Sequence, residues 1–355
     1  MRGLVQAVVV GASLALVLVT VLPFIPSNAA WIRIWDFPRQ QIAALLLVTL
    51  VAAFWQLEWR SLPVQLMMGL SAAALALQAY RIWPYTPLHP VQAQTVATCP
   101  DDARLRLLVA NVLFSNRNAD ALFRHINRKS PDLILLSETD EWWESQLQSL
   151  RGAYPYSVGL ARQPYGIYLL SRLELVDPQV RFLIDEYVPS IKTGARLRSG
   201  ATFTMFGLHP KPPPHQDTAR RDAELVIAGR EAKRAGAAIV AGDLNDVAWS
   251  RTTHLFQEIS GLLDPRIGRG FYSTYNANWP LLRWPLDHAF FDQSFLLNEL
   301  EVLSEIGSDH FPLFISLCHK PVAGAAQDQP RPDSEDRKDA DDAVKQGRER
   351  ARQID

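Results

Sequence analysis

Apolar residues crowd the start of this chain in three uninterrupted runs, and polar residues fill its end. Leu4 to Ile25 carries no charge and closes at Pro23 and Pro26. Ile42 to Leu57 is shorter and stops at Glu58-Trp59-Arg60, and Leu62 to Ile82 is uncharged until Arg81. A membrane-spanning helix needs roughly 20 apolar residues. The first and third runs meet that alone and the second with its flanks, so the pattern predicts three transmembrane helices at residues 4–25, 41–58 and 62–82. Trp31, Trp35, Trp55, Trp59, Trp83 and Tyr85 stand at the segment ends, where interfacial aromatics belong. Two other readings stay open: a buried helical hairpin, and a cleavable signal peptide with Ser27-Asn28-Ala29-Ala30 as its small-residue site. Against the second, the run exceeds the roughly 7–15 residues of a signal core and further apolar segments follow.

Beyond this region the period changes. Residues 86–103, with Pro84, Pro87 and Pro90 before and within them, read as an extended linker. Then short apolar strands alternate with amphipathic helices. Leu105–Val112, Asp132–Leu136, Ile167–Leu170, Ala201–Leu208, Ala237–Ala241, Leu286–Phe291 and Phe311–Leu317 read as strands, with more around Leu173–Leu183 and Arg196-Leu197. Ala119–Lys129, Glu141–Leu150 and Asp217–Ala235 read as helices. This mixture predicts an α/β (α+β) domain over residues 104–318, with two packed mixed sheets flanked by helices. Residues 319–355 are polar and lack an apolar period, which predicts a disordered tail.

Composition adds two points. The net charge of −1 over 355 residues offers no general attraction to nucleic acid. Only two cysteines occur, Cys99 before the first domain strand and Cys318 at the end of the last. They suit a disulfide clasp in an oxidising compartment or two unrelated thiols. Arg2 and Arg60 oppose Arg33 and Arg39 across the spans, so charge does not orient the chain. The cysteines tip the balance to an extracytoplasmic domain on a multi-pass protein of the cell (inner) membrane.

The chemistry sits at strand ends. One strand ends in Asn111; another is followed by Ser137-Glu138; a third delivers His209. Ala237–Ala241 runs into Gly242-Asp243-Leu244-Asn245, Leu286 leads into Asp287-His288, and Gly307-Ser308-Asp309-His310 precedes the final strand. Oxygen donors without cysteine suit a hard cation such as Mg²⁺ or Mn²⁺. Imidazoles beside carboxylates supply proton transfer near neutral pH, and amide and imidazole donors can hold phosphoryl oxygens. Each cluster alone has an ordinary structural reading as a turn, a cap or a strand terminus.

In this order the clusters resemble the endonuclease/exonuclease/phosphatase superfamily related to DNase I, over about residues 104–318, and within it a membrane-anchored subgroup with N-terminal transmembrane helices. The resemblance implies a four-layer sandwich and metal-dependent phosphoester hydrolysis. Glu138 matches the metal-binding glutamate, Asn111 the asparagine that organises that site, and Asp309 a second metal-side carboxylate. Asp243 matches the aspartate that orients or deprotonates the attacking water, Asn245 its phosphate-binding neighbour, and His209 a histidine contacting phosphate or assisting the leaving group. His310 matches the catalytic histidine and Asp287 the aspartate that orients it. Leu113 departs from the pattern where many nucleases carry an acidic or amide residue, and Asn116 is nearby but shifted; His288 reads as structural.

Substrate class stays open. A lipid-linked phosphate or pyrophosphate near the bilayer suits the anchor, and the Trp-rich stretch Tyr275–Trp284 reads either as an apolar rim or as a packed loop. A nuclease would need a basic groove, for which Arg196, Arg198, Arg220, Arg221, Arg266 and Arg269 are candidates, and nucleic acid is the less favoured partner. A scaffold without catalysis is a third reading, disfavoured because every expected polar position except Leu113 is filled.

Overall fold

A computed structural model describes residues 2–58, 60–212, 217–324 and 326–353; Trp59, expected at a segment end, lies outside them. The N-terminal region holds α1 (Arg2–Val21), the short α2 (Ala30–Arg33), α3 (Arg39–Gln56) and α4 (Leu62–Ile82). Two helical stretches, Arg2–Phe24 and Leu62–Tyr85, are long and apolar enough to cross a membrane. The expected middle span, residues 41–58, is not a straight helix of that kind. Ala30–Asp36 and Arg39–Gln56 pass only as a pair, bent by 74°. The bend falls where Asp36 accepts from the buried Arg39 guanidinium, which also donates to Gln78 Oε1 at 3.0 Å. Charge with partners on the spot lets the chain turn there rather than continue.

α1, α3 and α4 pack against one another through Val9, Ala53 and Met67 at one level and Ile42, Leu46 and Ala74 at the other. The bundle is inverted relative to a water-soluble one. Ser13, Thr20, Ser71 and Gln78 are buried inside it, while Leu4, Val8, Leu14, Leu18, Leu47, Val48, Val51 and Leu66 are exposed.

The domain begins with β1 (Arg104–Asn111), α5 (Ala119–Lys129), β2 (Leu133–Ser137), α6 (Glu141–Leu147), β3 (Tyr156–Leu160), β4 (Ile167–Ser171), β5 (Leu175–Arg181), β6 (Ser190–Arg196) and β7 (Thr202–Gly207). It continues with α7 (Ala219–Ala235), β8 (Ala238–Asp243), α8 (Arg251–Ser260), β9 (Asp287–Phe291), β10 (Phe295–Val302) and β11 (Leu313–His319), followed by α9 (Pro321–Gly324) and α10 (Ser334–Arg352). One mixed sheet runs β10-β11-β1-β2-β4-β3 and the other β5-β6-β7-β8-β9. Strand alternation sends Leu105, Leu107 and Val109 into the core between the sheets, with Met205, Ile239 and Phe291 facing them. Leu108 and Ala110 face outward to α5 and α6, and Val240 and Phe290 face α7 and α8. The result is the four-layer sandwich expected, helices outside and two sheets within.

Several elements differ from the sequence reading. β3, β10 and α8 were not expected; β10 has a bulge between Leu297 and Glu299 that breaks its alternation. The tail is corrected most. Residues 334–352 form a helix, not a disordered segment, with Asp333 capping it through a capping box. Its face of Ala340 and Val344 packs against Val226, Leu255 and Ile259 of α7 and α8. Cys99 and Cys318 are bonded, with Cα atoms 5.7 Å apart.

The helical region is docked on the domain rather than strung from it. Tyr85 Oη donates to Ala248 O at 2.6 Å and Trp249 Nε1 donates to Asp36 O at 2.7 Å. Phe37, Ile82 and Tyr85 share an apolar cluster with Val247, Trp249, Leu286 and Trp284.

Candidate active site

Topology brings the polar clusters together. β1 and β2 are parallel, so Asn111 and Glu138 leave the same edge. β7 and β8 are parallel, so His209 and Asp243 leave the corresponding edge of the other sheet. β9 runs back with Asp287 opposite Asp243. β11 runs back along β1, placing Asp309 and His310 at the same end.

Local backbone then aims each group. Gly242 has φ 137° and lies so close to β7 that a Cβ there would meet the Leu208 carbonyl oxygen at 1.9 Å. Only glycine permits this turn, and the turn delivers Asp243. Glu138 (φ 59°) and Asn245 (φ 50°) occupy the left-handed region that non-glycine residues enter at some cost. Asp243 Oδ1 accepts from Asn245 N at 2.9 Å, an Asx turn that fixes the Asp243 side chain, while Asn245 Nδ2 donates to Pro210 O at 2.9 Å.

Asn111 is the hub. Its amide donates to Glu138 Oε1 at 2.8 Å and to Asp243 Oδ2 at 3.0 Å, while its oxygen accepts from Leu113 N at 2.9 Å. His209 Nδ1 lies 3.7 Å from Asp243 Oδ2 and Nε2 lies 3.8 Å from Glu138 Oε1. His310 Nδ1 bonds Asp287 Oδ2 at 2.8 Å and turns Nε2 to within 3.6 Å of Asp243 Oδ2. Burial alone would lower the His310 pKa, but Asp287, Asp243 and Asp309 outweigh it and push the imidazole up to about 10. Asp309 is raised from the usual carboxylate range by burial and by Glu138, against the lowering effect of His310.

The other assignments separate cleanly. Asn116 does not replace the residue missing at Leu113: its amide donates to Val112 O and Ile306 O, each at 3.1 Å, as a loop brace. His288 is buried between the Arg266 guanidinium, 2.6 Å from Nδ1, and Asp246 O, 2.9 Å from Nε2. Burial and Arg266 hold its pKa well below normal, so it is a neutral structural histidine. The six arginines considered for a nuclease groove are engaged elsewhere. Arg196 pairs with Glu174, Arg198 with Asp132, Arg220 with Asp185, Arg221 with Asp222 and Asp246, and Arg266 with Asp264; Arg269 donates to backbone carbonyls.

These side chains open into a cavity of about 780 Å³. Glu138, His209, Asp243, Asn245, Asp309 and His310 form its polar wall. Ile34, Trp35, Phe37, Pro38, Leu282, Trp284 and Leu286 form an apolar one, with Phe114, Tyr165 and Tyr275 between. Among the described residues, no lysine or arginine lines it. The Tyr275 ring sits 4.9 Å from the His310 ring and the Tyr165 ring 6.1 Å from that of His209. The sequence reading missed the contribution of residues 34–38. Their segment lay between two presumed spans, and only its tryptophans hinted at an interface.

The family model described as Endonuclease/Exonuclease/phosphatase family matches residues 108–310. The chain belongs to this family. Solved structures agree on the fold. A humanized D. rerio TDP2 is 15% identical with a TM-score of 0.51, covering 61% of this chain and 99% of that one. D. rerio TDP2 complexed with single strand DNA product is 16% identical with a TM-score of 0.52 and the same coverages. The human Nocturnin catalytic domain with bound sulfate is 17% identical with a TM-score of 0.50, covering 62% and 95%. No curated protein matches the chain. Family members hydrolyse phosphoester bonds, and the chain is an enzyme of that class.

Proposed function

We propose that this family member is a divalent-metal-dependent phosphoesterase held at a membrane by its N-terminal helices, acting on a lipid-linked phosphate ester or pyrophosphate. One observation carries the reading: a single cavity joins a wall of carboxylates and imidazoles to a wall of apolar side chains supplied partly by the helical region. The inverted bundle, apolar outside and polar within, supports the bilayer as its surroundings.

The donor chemistry fits a cation. Glu138, Asp243 and Asp309 line one cavity, and although the raised pKa of His310 sets one positive charge against them, no lysine or arginine among the described residues lines it. Such a wall would repel a phosphate unless a cation lay between. Among the described residues no three His, Cys, Asp or Glu side chains close on one point as a full ligand set. A partial set of carboxylates completed by water and substrate oxygens is the habit of Mg²⁺, and of the similar Mn²⁺. Glu138 and Asp309 would hold the ion, with Asn111 orienting Glu138. Bound there, it would polarise a phosphoryl oxygen and offset developing charge.

The chain's own residues do the rest. Asp243, fixed by Asn111 and the Asn245 amide, orients the attacking water. His310, fixed by Asp287, shares the proton transfers with it. His209 and Asn245 hold phosphoryl oxygens. The bonded Cys99–Cys318 pair favours an oxidising, extracytoplasmic compartment for this domain. A nuclease reading is less favoured because the candidate arginines pair elsewhere.

The test uses the full chain in lipid nanodiscs with Mg²⁺, Mn²⁺ or EDTA. Bis(4-nitrophenyl) phosphate, plasmid DNA and a polyprenyl pyrophosphate are the substrates. Turnover of the pyrophosphate that needs a divalent ion and is lost in Asp243→Ala is expected. Preferential nicking of DNA, or metal-independent turnover, would overturn the reading.

A further inference from the structure

The stretch Asn276–Trp284 is a folded loop with an exposed apolar tip. Its base is pinned by backbone pairing of Tyr275 with Trp284 and by Ala277 N donating to Asp309 O at 2.7 Å. Asn278 N donates to Asn276 Oδ1 at 2.8 Å, and Leu282 N to Trp279 O at 3.0 Å. The order is therefore built in, yet Trp279 is 63% exposed, Leu281 85% and Leu282 42%. A well-pinned loop that presents three large apolar side chains to its surroundings marks an interaction site.

Its position says what covers it. Gln41, in the first turn of α3, donates through Nε2 to Leu281 O at 2.9 Å. The tip thus lies beside the N-terminal end of α3, in the helical bundle whose outer surface is apolar. The elbow of residues 30–38 lines the same cavity as the loop, and its Ile34 is 42% exposed while also lining that cavity. Leu282 has the same double character. The Phe37 and Trp284 rings meet edge to face at 5.9 Å, so elbow and loop touch at the base of the loop.

We infer that the 276–284 loop dips into the bilayer, and that loop and elbow are two apolar lips through which a lipid-borne phosphate enters the cavity sideways from the membrane. The inference rests on the phosphoesterase reading for what happens at the polar wall, and on the bundle being in a bilayer. The lips hold the chain of the substrate, so they select amphiphilic phosphates, while a small soluble phosphodiester reaches the same wall without them.

Two measurements test this with the full chain. In the first, Trp279→Ala and Leu281→Asp are compared with wild type in vesicles holding a polyprenyl pyrophosphate, and on soluble bis(4-nitrophenyl) phosphate. Turnover of the embedded substrate is expected to fall tenfold or more, with the soluble rate within twofold. Equal loss on both substrates, or no loss on the embedded one, would overturn the inference. In the second, Leu281→Cys carries an environment-sensitive fluorophore in phosphatidylcholine vesicles, the native cysteines being bonded to each other. Quenching by brominated lipid chains is expected, and a fully water-exposed spectrum would overturn the inference. A wild type inactive on both substrates would sink the phosphoesterase reading instead, and the fluorophore would still report on the loop.

Discussion

Arg221 Nη1 donates to the Asn245 carbonyl at 2.8 Å and so braces the turn that carries Asp243 and Asn245 from behind. The guanidinium is buried, with Asp222 at 2.9 Å and Asp246 at 3.2 Å as counterions. Asp222 in turn faces Arg33 of the elbow at 4.0 Å, and Arg33 Nη2 donates to Thr252 at 3.0 Å. One buried ion network therefore joins the segment beside the first helix to the catalytic turn. Arg221→Ala would strip the buried Asp246 of its ion-pair partner and leave Asp222 only the more distant Arg33, a loss of about 3–5 kcal/mol in stability. Arg221→Lys keeps the charge but lacks the fork that reaches the carbonyl and both acids. It should hold most of the stability and lose activity. Thermal melts and kcat on a soluble phosphodiester, measured together, check both outcomes.

Asp287 is not among the cavity-lining residues and reaches the cavity through His310. It is fully buried, bonds Nδ1 at 2.8 Å, and leaves Oδ1 without a partner among the described residues. Asp287→Asn preserves shape but removes the charge that fixes the ring and supports its protonation. A fall of roughly 10–100-fold in kcat is expected for such an outer partner, with KM nearly unchanged and the pH profile displaced. An unchanged profile would show that the pair does not set proton transfer.

Much of this site could be read from the chain because its residues end apolar strands. An apolar run such as Ala238–Asp243 that stops at an acid, with glycine just before it, announces both strand and site. The network behind the site could not be read. Arg33, Asp222 and Asp246 are far apart in sequence, and each alone looks like a solvated charge. The last helix was misread for a related reason. It touches α7 through small residues: a Cβ added at Gly347 would meet the Ala223 Cβ at 2.3 Å. Close packing through glycine and alanine leaves little apolar pattern in a segment otherwise crowded with charge. The bend in the second span is not legible because hydropathy does not report a bend, and the Asp36–Arg39–Gln78 bonds beside it form only in the fold.

Glu224 supplies a pH-dependent stability independent of catalysis. It is buried on α7, with Oε1 lacking a partner among the described residues. Burial, reinforced by Asp185 and only partly offset by Lys211, pushes its pKa up to about 8 from 4.5. Between those values the folded state binds the extra proton, so stability falls as pH rises through this window and levels off above it. Each pKa unit corresponds to about 1.4 kcal/mol. Glu224→Gln should match wild type in melting temperature at pH 4 and exceed it at pH 9. Parallel curves across that range would show that the carboxyl ionises as it does in water.

The Cys99–Cys318 bond closes a loop around almost the whole domain, with 219 residues of separation. Cys318 is opposite Arg104 in the β1–β11 ladder, so the bond ties the incoming segment to the strand that β1 already pairs with. Its stabilising effect comes largely from restricting the unfolded chain. Cys99→Ser or Cys318→Ser should each lower stability by about 2–5 kcal/mol, and the double variant should lose no more than either single one, because one bond is removed in every case. The same pair tests the compartment. Protein taken from cells with free thiols blocked at lysis should run faster on a non-reducing gel than after reduction, and the Cys99→Ser variant should show no such difference. Wild-type protein recovered wholly reduced would place the domain on the reducing side of the membrane and reverse the proposed orientation.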